Sequence, residues 1–288
     1  MNNKPSKKPC FKKIAIVGVG LIGGSIGLAI RKQGLAKEVV GLTKTKKSSD
    51  LAVKLGAIDR SATLLDAITG ADLVILAAPV LTIIDHLKFI SRNSRLLRGP
   101  VIDVGSSKVE IDEAAANLTK EGIDFIGCHP MAGSEKRGVE NATADLFKNS
   151  FCFITRENKK ISDFWRALGV KKVPVIAPDM HDAFVSSVSH LTHLLAFSLL
   201  HSLDQPKIDI ARGGVNPSFW AFARLAQSDP QIWADVFLSN HMEVALGLNK
   251  IKKTIEEFEK SSVDREGLVR WLMNAKQKAD CLIPDEKK

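Results

Sequence analysis

Cysteine is scarce in this sequence, and its four copies are scattered along 288 residues. No C-x-x-C pair occurs, so the spacing indicates neither a zinc site nor a disulfide framework. The absence of such a framework is typical of a reducing cytoplasm, where we expect this chain. Tyrosine is absent altogether, a feature that indicates no particular mechanism.

Long apolar runs are also missing. No run reaches the roughly 20 residues that span a bilayer, and the first residues lack the apolar core of a signal peptide. We therefore expect no membrane partner. Hydrophobic content of 45% and charged content of 25% are ordinary for a globular protein. The length predicts about two domains.

The net charge of +9 does not by itself indicate a nucleic-acid-binding protein. Five lysines lie in the first thirteen residues without an acid among them, which is typical of a solvated chain end. We predict that residues 1–11 form a disordered basic tail, and we expect no nucleic-acid partner. A weak phosphate-binding arm is the alternative, and its binding would fall steeply with salt.

Short apolar runs alternate with helical patterns through the first half of the chain. Residues 14–17, 39–42 and 72–77 are examples of predicted strands, and helical periodicity follows each of them. This alternation predicts β-α-β units with right-handed crossovers, and hence a doubly wound, mostly parallel sheet. We assign residues 12–174 to a Rossmann dinucleotide-binding domain.

The pattern changes near Pro174, after which apolar residues recur at helical spacing. We assign residues 175–288 to an all-α domain for substrate binding and dimerisation, with a long helix over 183–203 and another over 230–251. The 183–203 helix is apolar on nearly all sides, and such a helix must be covered on most of its surface. One small domain can hardly cover it, so we predict a homodimer through the helical half.

A glycine-rich loop follows the first predicted strand, with Gly18, Gly20 and Gly23 in G-x-G-x-x-G spacing. The motif alone is a weak signal, but here it follows a strand and opens a helix, as dinucleotide sites require. Gly18 permits the tight turn, Gly20 lets the backbone approach the pyrophosphate, and Gly23 lets the helix pack on the strand. The helix N-terminus then offers free N–H groups to the phosphates.

The acid that would bond the ribose 2′-hydroxyl of NAD is missing. Counting about 20 residues from Gly23 leads to Thr43, which is followed by lysines and hydroxyl groups. These groups suit a 2′-phosphate, which an aspartate would repel. We predict NADP as the preferred cofactor, with NAD as the alternative and no metal. The predicted cofactor-binding residues are Gly18, Gly20, Leu21, Ile22, Gly23, Thr43, Lys44, Thr45, Ala78 and Pro79.

Three segments carry candidate catalytic chemistry. Ser106 and His129 follow the ends of two predicted strands, beyond which ligands of open α/β sheets bind. In the helical half, His190 and His193 share one helix face, and Arg224 lies on a later helix. Histidine has an unperturbed pKa that suits a base near pH 7, and arginine binds carboxylates through two parallel hydrogen bonds.

The sequence resembles the prephenate/arogenate dehydrogenases of tyrosine biosynthesis over about residues 12–275. The resemblance rests on three segments in this order: GCHPMAGSE, SHLTH and FARLAQSDPQIW. It implies a Rossmann domain, a helical dimerisation domain, and oxidative decarboxylation of a cyclohexadienyl substrate. The product would be 4-hydroxyphenylpyruvate from prephenate or tyrosine from arogenate, and no residue decides between the two.

The resemblance also implies roles for matching positions. His129 matches the catalytic histidine that bonds the ring C4 hydroxyl and accepts its proton, and Ser106 matches the serine that bonds this histidine and the nicotinamide side. Arg224 matches the arginine that holds the ring carboxylate. The other predicted substrate-binding residues are His193, Ser134 and Glu135, the last being associated with gating and pH response.

Several of these side chains also have a purely structural interpretation. His129 could cap a turn, Arg224 could form an ion pair between subunits, and Glu135 could be a surface charge. His193 is evenly balanced between a pocket and a core position. We expect the remaining two histidines near the predicted site to be structural, and these are His190 and His181, the latter as a helix cap beside Asp182.

Two other functional classes remain open. Another two-domain NAD(P)-dependent dehydrogenase, of the β-hydroxy-acid type, would use a lysine base in its helical half, where Lys207 falls in a predicted loop. A non-catalytic NADP-sensing module would keep the glycine loop but would have no reason to hold Ser106 and His129 together.

Overall fold

A computed structural model of the chain describes residues 11–133, 136–212, 214 and 216–282. The chain divides into two compact units between His241 and Met242. Ten of the eleven residues assigned to the basic tail lie outside the described residues. The eleventh, Phe11, is buried and begins the first strand, so its assignment to the tail is wrong.

Seven strands form one sheet in the first unit. They are β1 (Phe11–Val17), β2 (Ala36–Leu42), β3 (Arg60–Ser61), β4 (Leu73–Leu76), β5 (Val101–Asp103), β6 (Phe125–Pro130) and β7 (Cys152–Ile154). Their order is β3-β2-β1-β4-β5-β6-β7, with β7 antiparallel to β6 and every other pair parallel. The predicted doubly wound sheet is confirmed. The chain changes direction between β1 and β4, which is where such sheets bind ligands.

Six helices cover the two faces of the sheet. They are α1 (Leu21–Gln33), α2 (Lys46–Lys54), α3 (Leu64–Ile68), α4 (Val80–Arg92), α5 (Val109–Lys120) and α6 (Lys159–Ala167). Successive side chains of a strand point to opposite faces, and β1 accordingly sends Ile14 and Ile16 into one core cluster and Ala15 and Val17 into the other. The first cluster packs against α1, α2 and α6, and the second against α3, α4 and α5.

The helical half differs in detail from its sequence pattern. Its helices are α7 (Pro178–Val185), α8 (Leu191–His201), α9 (Gln205–Arg212), α10 (Pro217–Leu225), α11 (Pro230–Ser239), α12 (His241–Ser261) and α13 (Arg265–Leu282). The predicted 230–251 helix is broken at Asn240. Lys207 lies on α9 rather than in a loop, and its Nζ is 3.1 Å from Asp204 Oδ2.

The segment Pro178–His201 combines α7, a π-helical turn over Ser186–His190 and α8. Its 24 residues and mean hydropathy of 1.5 are enough, by length and composition alone, to cross a membrane. The expectation that no apolar run reaches this length is therefore wrong by this criterion. A packed helix of a soluble protein meets the same criterion, but only 28% of the apolar window is buried within this chain.

Candidate active site

The glycine loop has the geometry that its three positions predict. Gly18 has a φ of +100°, and a Cβ on it would lie 2.4 Å from the Ala77 carbonyl oxygen. A Cβ on Gly23 would lie 2.0 Å from the Gly18 carbonyl oxygen, so only glycine lets α1 pack this closely. A Cβ on Gly20 would meet nothing within 4 Å. The N-terminus of α1 therefore faces open space that a ligand can occupy.

Two cavities adjoin each other beyond the carboxyl ends of β1 and β4. The residues lining both are Gly20, Ala77, Ala78, Pro79 and Gly138. The first cavity has a volume of about 820 Å³ and extends past the end of β2, and the second, of about 740 Å³, extends past the end of β5 towards α11. Both volumes lie within the roughly 300–1,000 Å³ of typical small-molecule sites.

The wall of the first cavity at the end of β2 is basic. Thr43, Lys44 and Lys47 line it, and no acid lies in the first turn of α2. Thr45 stands behind this wall, where its hydroxyl accepts the Ser48 N–H at 3.1 Å and caps α2. The positive end of the α2 dipole and the two ammonium groups favour an anion here.

The second cavity contains the predicted Ser106. Leu21 and Ile22 line it near the glycine loop, and Gln231 and Asp235 line it from α11. The cavity thus lies between the end of β5 and the helical half of the chain.

His129 lies on β6 and is joined to a pair of buried side chains on α7. Its Nδ1 is 2.9 Å from Nε2 of His181, whose Nδ1 is 2.7 Å from Oδ1 of Asp182. The expectation that His181 merely caps a helix is wrong, because its side chain is fully buried against His129. Within the described chain no hydrogen bond joins Ser106 to His129, so the residue that orients His129 is His181.

The Asp182 carboxylate also caps the N-terminus of α5. It accepts the backbone N–H of Lys108 at 2.8 Å and that of Val109 at 3.0 Å. The Asn240 side-chain amide donates to the Asp182 carbonyl at 2.9 Å and lies 3.2 Å from Nδ1 of His190. These contacts fix α7 between the N-terminus of α5 and the C-terminal end of α11. Asn240 is not among the predicted site residues, because no local motif marks it.

A buried ion pair lies near His129. Lys108 Nζ donates to Asp103 Oδ2 and, at 2.9 Å, to the Cys128 carbonyl oxygen. Both side chains are almost completely buried. Burial raises the pKa of Asp103, and the Lys108 cation opposes that rise.

The environment of His129 keeps its imidazole neutral. Burial lowers the pKa of His129 well below its ordinary value, and the nearby His181 and Lys108 lower it further. A histidine in this state can accept a proton near pH 7 without first having to lose one.

His193 and Arg224 lie together, apart from the lining of the two cavities. The His193 ring stacks on Trp233 with centroids 3.8 Å apart, and its Nδ1 donates to the Ser189 carbonyl at 3.0 Å. Its Nε2 is therefore the nitrogen left to accept. Burial lowers the pKa of His193, and the neighbouring Arg224 cation adds to this effect. Trp233 was missed, although it ends the FARLAQSDPQIW segment.

Two predicted site residues, Ser134 and Glu135, lie outside the described residues. Gly23 and Thr45 do not line the cavities. Gly23 packs against the Gly18 carbonyl, and Thr45 caps α2. In the part of the chain that the structure describes, no cluster of three His, Cys, Asp or Glu side chains could hold a metal ion.

Two family models match the chain, one after the other. A model described as "Prephenate dehydrogenase, nucleotide-binding domain" matches residues 26–172. A second, "Prephenate dehydrogenase, dimerization domain", matches residues 177–274. Together they span most of the sequence.

Individual relatives have similar coverage. Prephenate dehydrogenase of Lactococcus lactis subsp. cremoris is 34% identical over 256 residues, which are 86% of this chain and 70% of the relative. Prephenate dehydrogenase of Bacillus subtilis is 31% identical over 287 residues, 93% of this chain and 76% of the relative.

A solved structure extends the similarity to the fold. Prephenate dehydrogenase from A. aeolicus, in complex with hydroxyphenyl propionate and NAD+, is 30% identical and superposes with a TM-score of 0.84. The match covers 97% of this chain and 100% of that one. Since family models, relatives and structure agree over nearly the whole length, the chain belongs to the prephenate dehydrogenase family.

Proposed function

We propose that the protein catalyses oxidative decarboxylation of prephenate or arogenate, with hydride transfer to NADP or NAD. The observation that carries the proposal is a half-buried, neutral His129, held by His181 at the end of the sheet that carries the glycine loop. The two relatives described above are prephenate dehydrogenases, which favours prephenate as the substrate.

His129 supplies the base of the proposed reaction. It accepts the proton of the C4 hydroxyl while hydride leaves C4, and the ring carboxylate then departs as CO2. The electrons of the broken carbon–carbon bond enter the ring and make it aromatic, and the oxygen takes back the proton from His129. The bound oxidised dinucleotide would supply the hydride acceptor. The base is thus regenerated, and no other oxidant is required.

The pair of Arg224 and His193 is the proposed substrate clamp. A guanidinium group can bind a carboxylate through two parallel hydrogen bonds, and the free Nε2 of His193 offers a second polar contact. Trp233, stacked on His193, adds an apolar surface suited to a ring. The pocket roles of Ser134 and Glu135 rest on the family resemblance alone.

The cofactor site is proposed to lie in the two cavities, with Gly20 against the pyrophosphate and Ser106 at the nicotinamide end. The open space beside Gly20 and the free N-terminus of α1 fit this group. The basic wall of Thr43, Lys44 and Lys47 supports a preference for NADP. The A. aeolicus relative was solved with NAD+, which keeps NAD as the alternative.

We propose that the protein acts as a cytoplasmic homodimer. The family model for residues 177–274 is that of a dimerisation domain. Large apolar side chains that a partner could cover are exposed on the helical half: Phe184, Val188, Leu195, Leu199 and Trp220. The change of family model between residues 172 and 177 supports our domain boundary at 174/175.

A steady-state grid tests the proposed activity. Prephenate and arogenate are each assayed with NADP+ and NAD+, and reduced nicotinamide is followed by absorbance. We expect turnover of prephenate, and we expect His129→Asn to lower kcat by roughly 10²–10⁴-fold, the usual loss for a missing general base.

His201→Asn, on the exposed end of α8, is the matched control and should keep wild-type turnover. A wild-type protein that oxidises neither substrate with either cofactor would disprove the activity. Near-normal turnover by His129→Asn would remove His129 from the mechanism.

A further inference from the structure

We propose that His181 is a positioning residue that, with Asp182, fixes the proton of His129 on Nδ1 and leaves Nε2 free to act as the base. The role of His129 as base rests on the proposed function. The assignment of donor and acceptor atoms rests on geometry alone, and it can be tested in the free enzyme without an activity assay.

The positions of the protons can be assigned in order, starting from the Asp182 carboxylate. Its Oδ1 accepts the Lys108 backbone N–H and its Oδ2 accepts that of Val109, both from the N-terminus of α5. The carboxylate thus acts as a hydrogen-bond acceptor at both of its oxygens. The His181 Nδ1, 2.7 Å from Oδ1, must therefore be the donor.

The next position follows from the chemistry of neutral imidazole. A neutral ring has one protonated nitrogen, so His181 presents the lone pair of Nε2 to His129. The His129 Nδ1 lies 2.9 Å from this lone pair and must donate to it. The other tautomer of His129 would set two lone pairs against each other at that distance. His129 is thus left with its lone pair on Nε2.

The same hydrogen bonds can persist after His129 accepts a proton on Nε2. The imidazolium still donates from Nδ1 to His181, and the Asp182 carboxylate lies one ring further along. A carboxylate that orients and stabilises a histidine in this way is known to set the tautomer in other enzymes. Here His181 lies between the carboxylate and His129 and sets the tautomer of His129, because the Asp182 carboxylate accepts hydrogen bonds from the N-terminus of α5.

The surrounding structure holds the hydrogen-bonded series His129–His181–Asp182, here called the relay, in a fixed geometry. His181 is fully buried, and Asp182 is 1% exposed. The Asn240 amide holds the backbone carbonyl of Asp182, and the Phe153 ring packs edge-on against His181 at 6.0 Å between centroids. His181 therefore has little freedom to turn its Nε2 away from His129.

The direct test is nitrogen NMR of the free enzyme labelled at histidine, with the His129 signals assigned by their loss in His129→Asn. We expect wild-type His129 at neutral pH to carry its proton on Nδ1, with Nε2 unprotonated. A proton on Nε2 would overturn the proposal. This readout does not need turnover, so failure of the proposed activity and failure of the relay are separate results.

Two amide variants provide the kinetic test. His181→Gln places a carbonyl oxygen near the position of Nε2, where it can still accept from His129. His181→Asn is one methylene shorter, so it reaches towards Asp182 but not His129. We expect His181→Asn to lower kcat at least about tenfold, yet by less than the roughly 10²–10⁴-fold loss for removing the base itself.

The other parameters separate positioning from general damage. We expect KM to stay unchanged in both variants, kcat of His181→Gln to remain within about threefold of wild type, and the His129 nitrogen signals to change only in His181→Asn. Thermal unfolding checks that both variants fold. Equal loss of kcat in two folded variants, with the wild-type tautomer retained in both, would contradict the relay.

Discussion

Thr43 stands at the end of β2, where dinucleotide-binding domains that prefer NAD place an acid. Its hydroxyl donates to the Thr45 carbonyl at 2.9 Å, which holds it in the cavity wall beside Lys44 and Lys47. The one carboxylate among the described lining residues of this cavity, Glu140, comes from the turn at 139–141 and not from β2. The charge at the end of β2 is therefore positive.

Replacing Thr43 with aspartate should shift cofactor preference towards NAD. A carboxylate 4 Å from one phosphate charge is opposed by about 1 kcal/mol in water and about 4 kcal/mol near a protein surface. We expect the ratio of kcat/KM for NADP+ over NAD+ to fall at least about tenfold. Thr119→Asp, on the exposed face of α5, is the control. A wild-type enzyme that binds NADP+ no better than NAD+ would contradict the preference.

At the residue scale, local geometry was predictable and long-range pairing was not. The demands on Gly18 and Gly23 follow from a strand, a turn and a helix that are adjacent in sequence, so the spacing alone predicted them. His129 and His181 are 52 residues apart. Their hydrogen bond depends on how α7 packs against β6, which no periodicity in the sequence records.

Among the elements, most helices with apolar residues at helical spacing were predictable, and a helix break that depends on a tertiary contact was not. Helix α6 was missed although it carries both local signals: Ile161, Phe164 and Trp165 share its buried face, and Asn158 caps it by accepting the Ile161 N–H at 3.1 Å. The break between α11 and α12 was missed because its cause is tertiary. Asn240 leaves the helical path and donates to the Asp182 carbonyl, which the spacing of apolar residues cannot reveal.

The apolar surface of α8 leads to a prediction about assembly. Leu199 is 41% exposed in the single chain, and a twofold interface would bury two copies of it. Full burial of a leucine contributes roughly 1.5–3 kcal/mol, so covering the exposed 41% of two copies contributes about 1–2.5 kcal/mol. Two glutamates would in addition bring like charges into the interface, so Leu199→Glu should raise the dimer Kd at least about 100-fold. Sedimentation over a range of concentrations measures this. Phe89→Glu, on α4 and 37% exposed, should leave the dimer intact.

A variant Leu199→Glu that remains dimeric at the same concentrations would place the interface elsewhere. The control matters because an added charge can change solubility without touching an interface. Only a selective effect of the α8 variant supports dimerisation through the helical half.

At the scale of the whole molecule, buried histidines link stability to pH. His190 is 1% exposed, and the Asn240 amide donates to its Nδ1, an arrangement that needs a neutral ring. Burial lowers the pKa of His190 to about 4. In the unfolded chain a histidine gains its proton at about pH 6.5. Below that pH the unfolded state binds more protons than the folded state, so stability falls as the solution is acidified.

We therefore expect His190 alone to contribute about 3 kcal/mol of destabilisation between pH 7 and pH 4, with His129 acting in the same direction. Urea unfolding at several pH values measures this loss, to which carboxylates also contribute. The comparison is therefore between the slopes of unfolding free energy against pH for wild type and variants. His190→Gln cannot titrate and should lose less stability on acidification than wild type, whereas His201→Asn, altered at an exposed position, should lose as much. Equal slopes for wild type and His190→Gln would show that His190 is not held neutral by the fold.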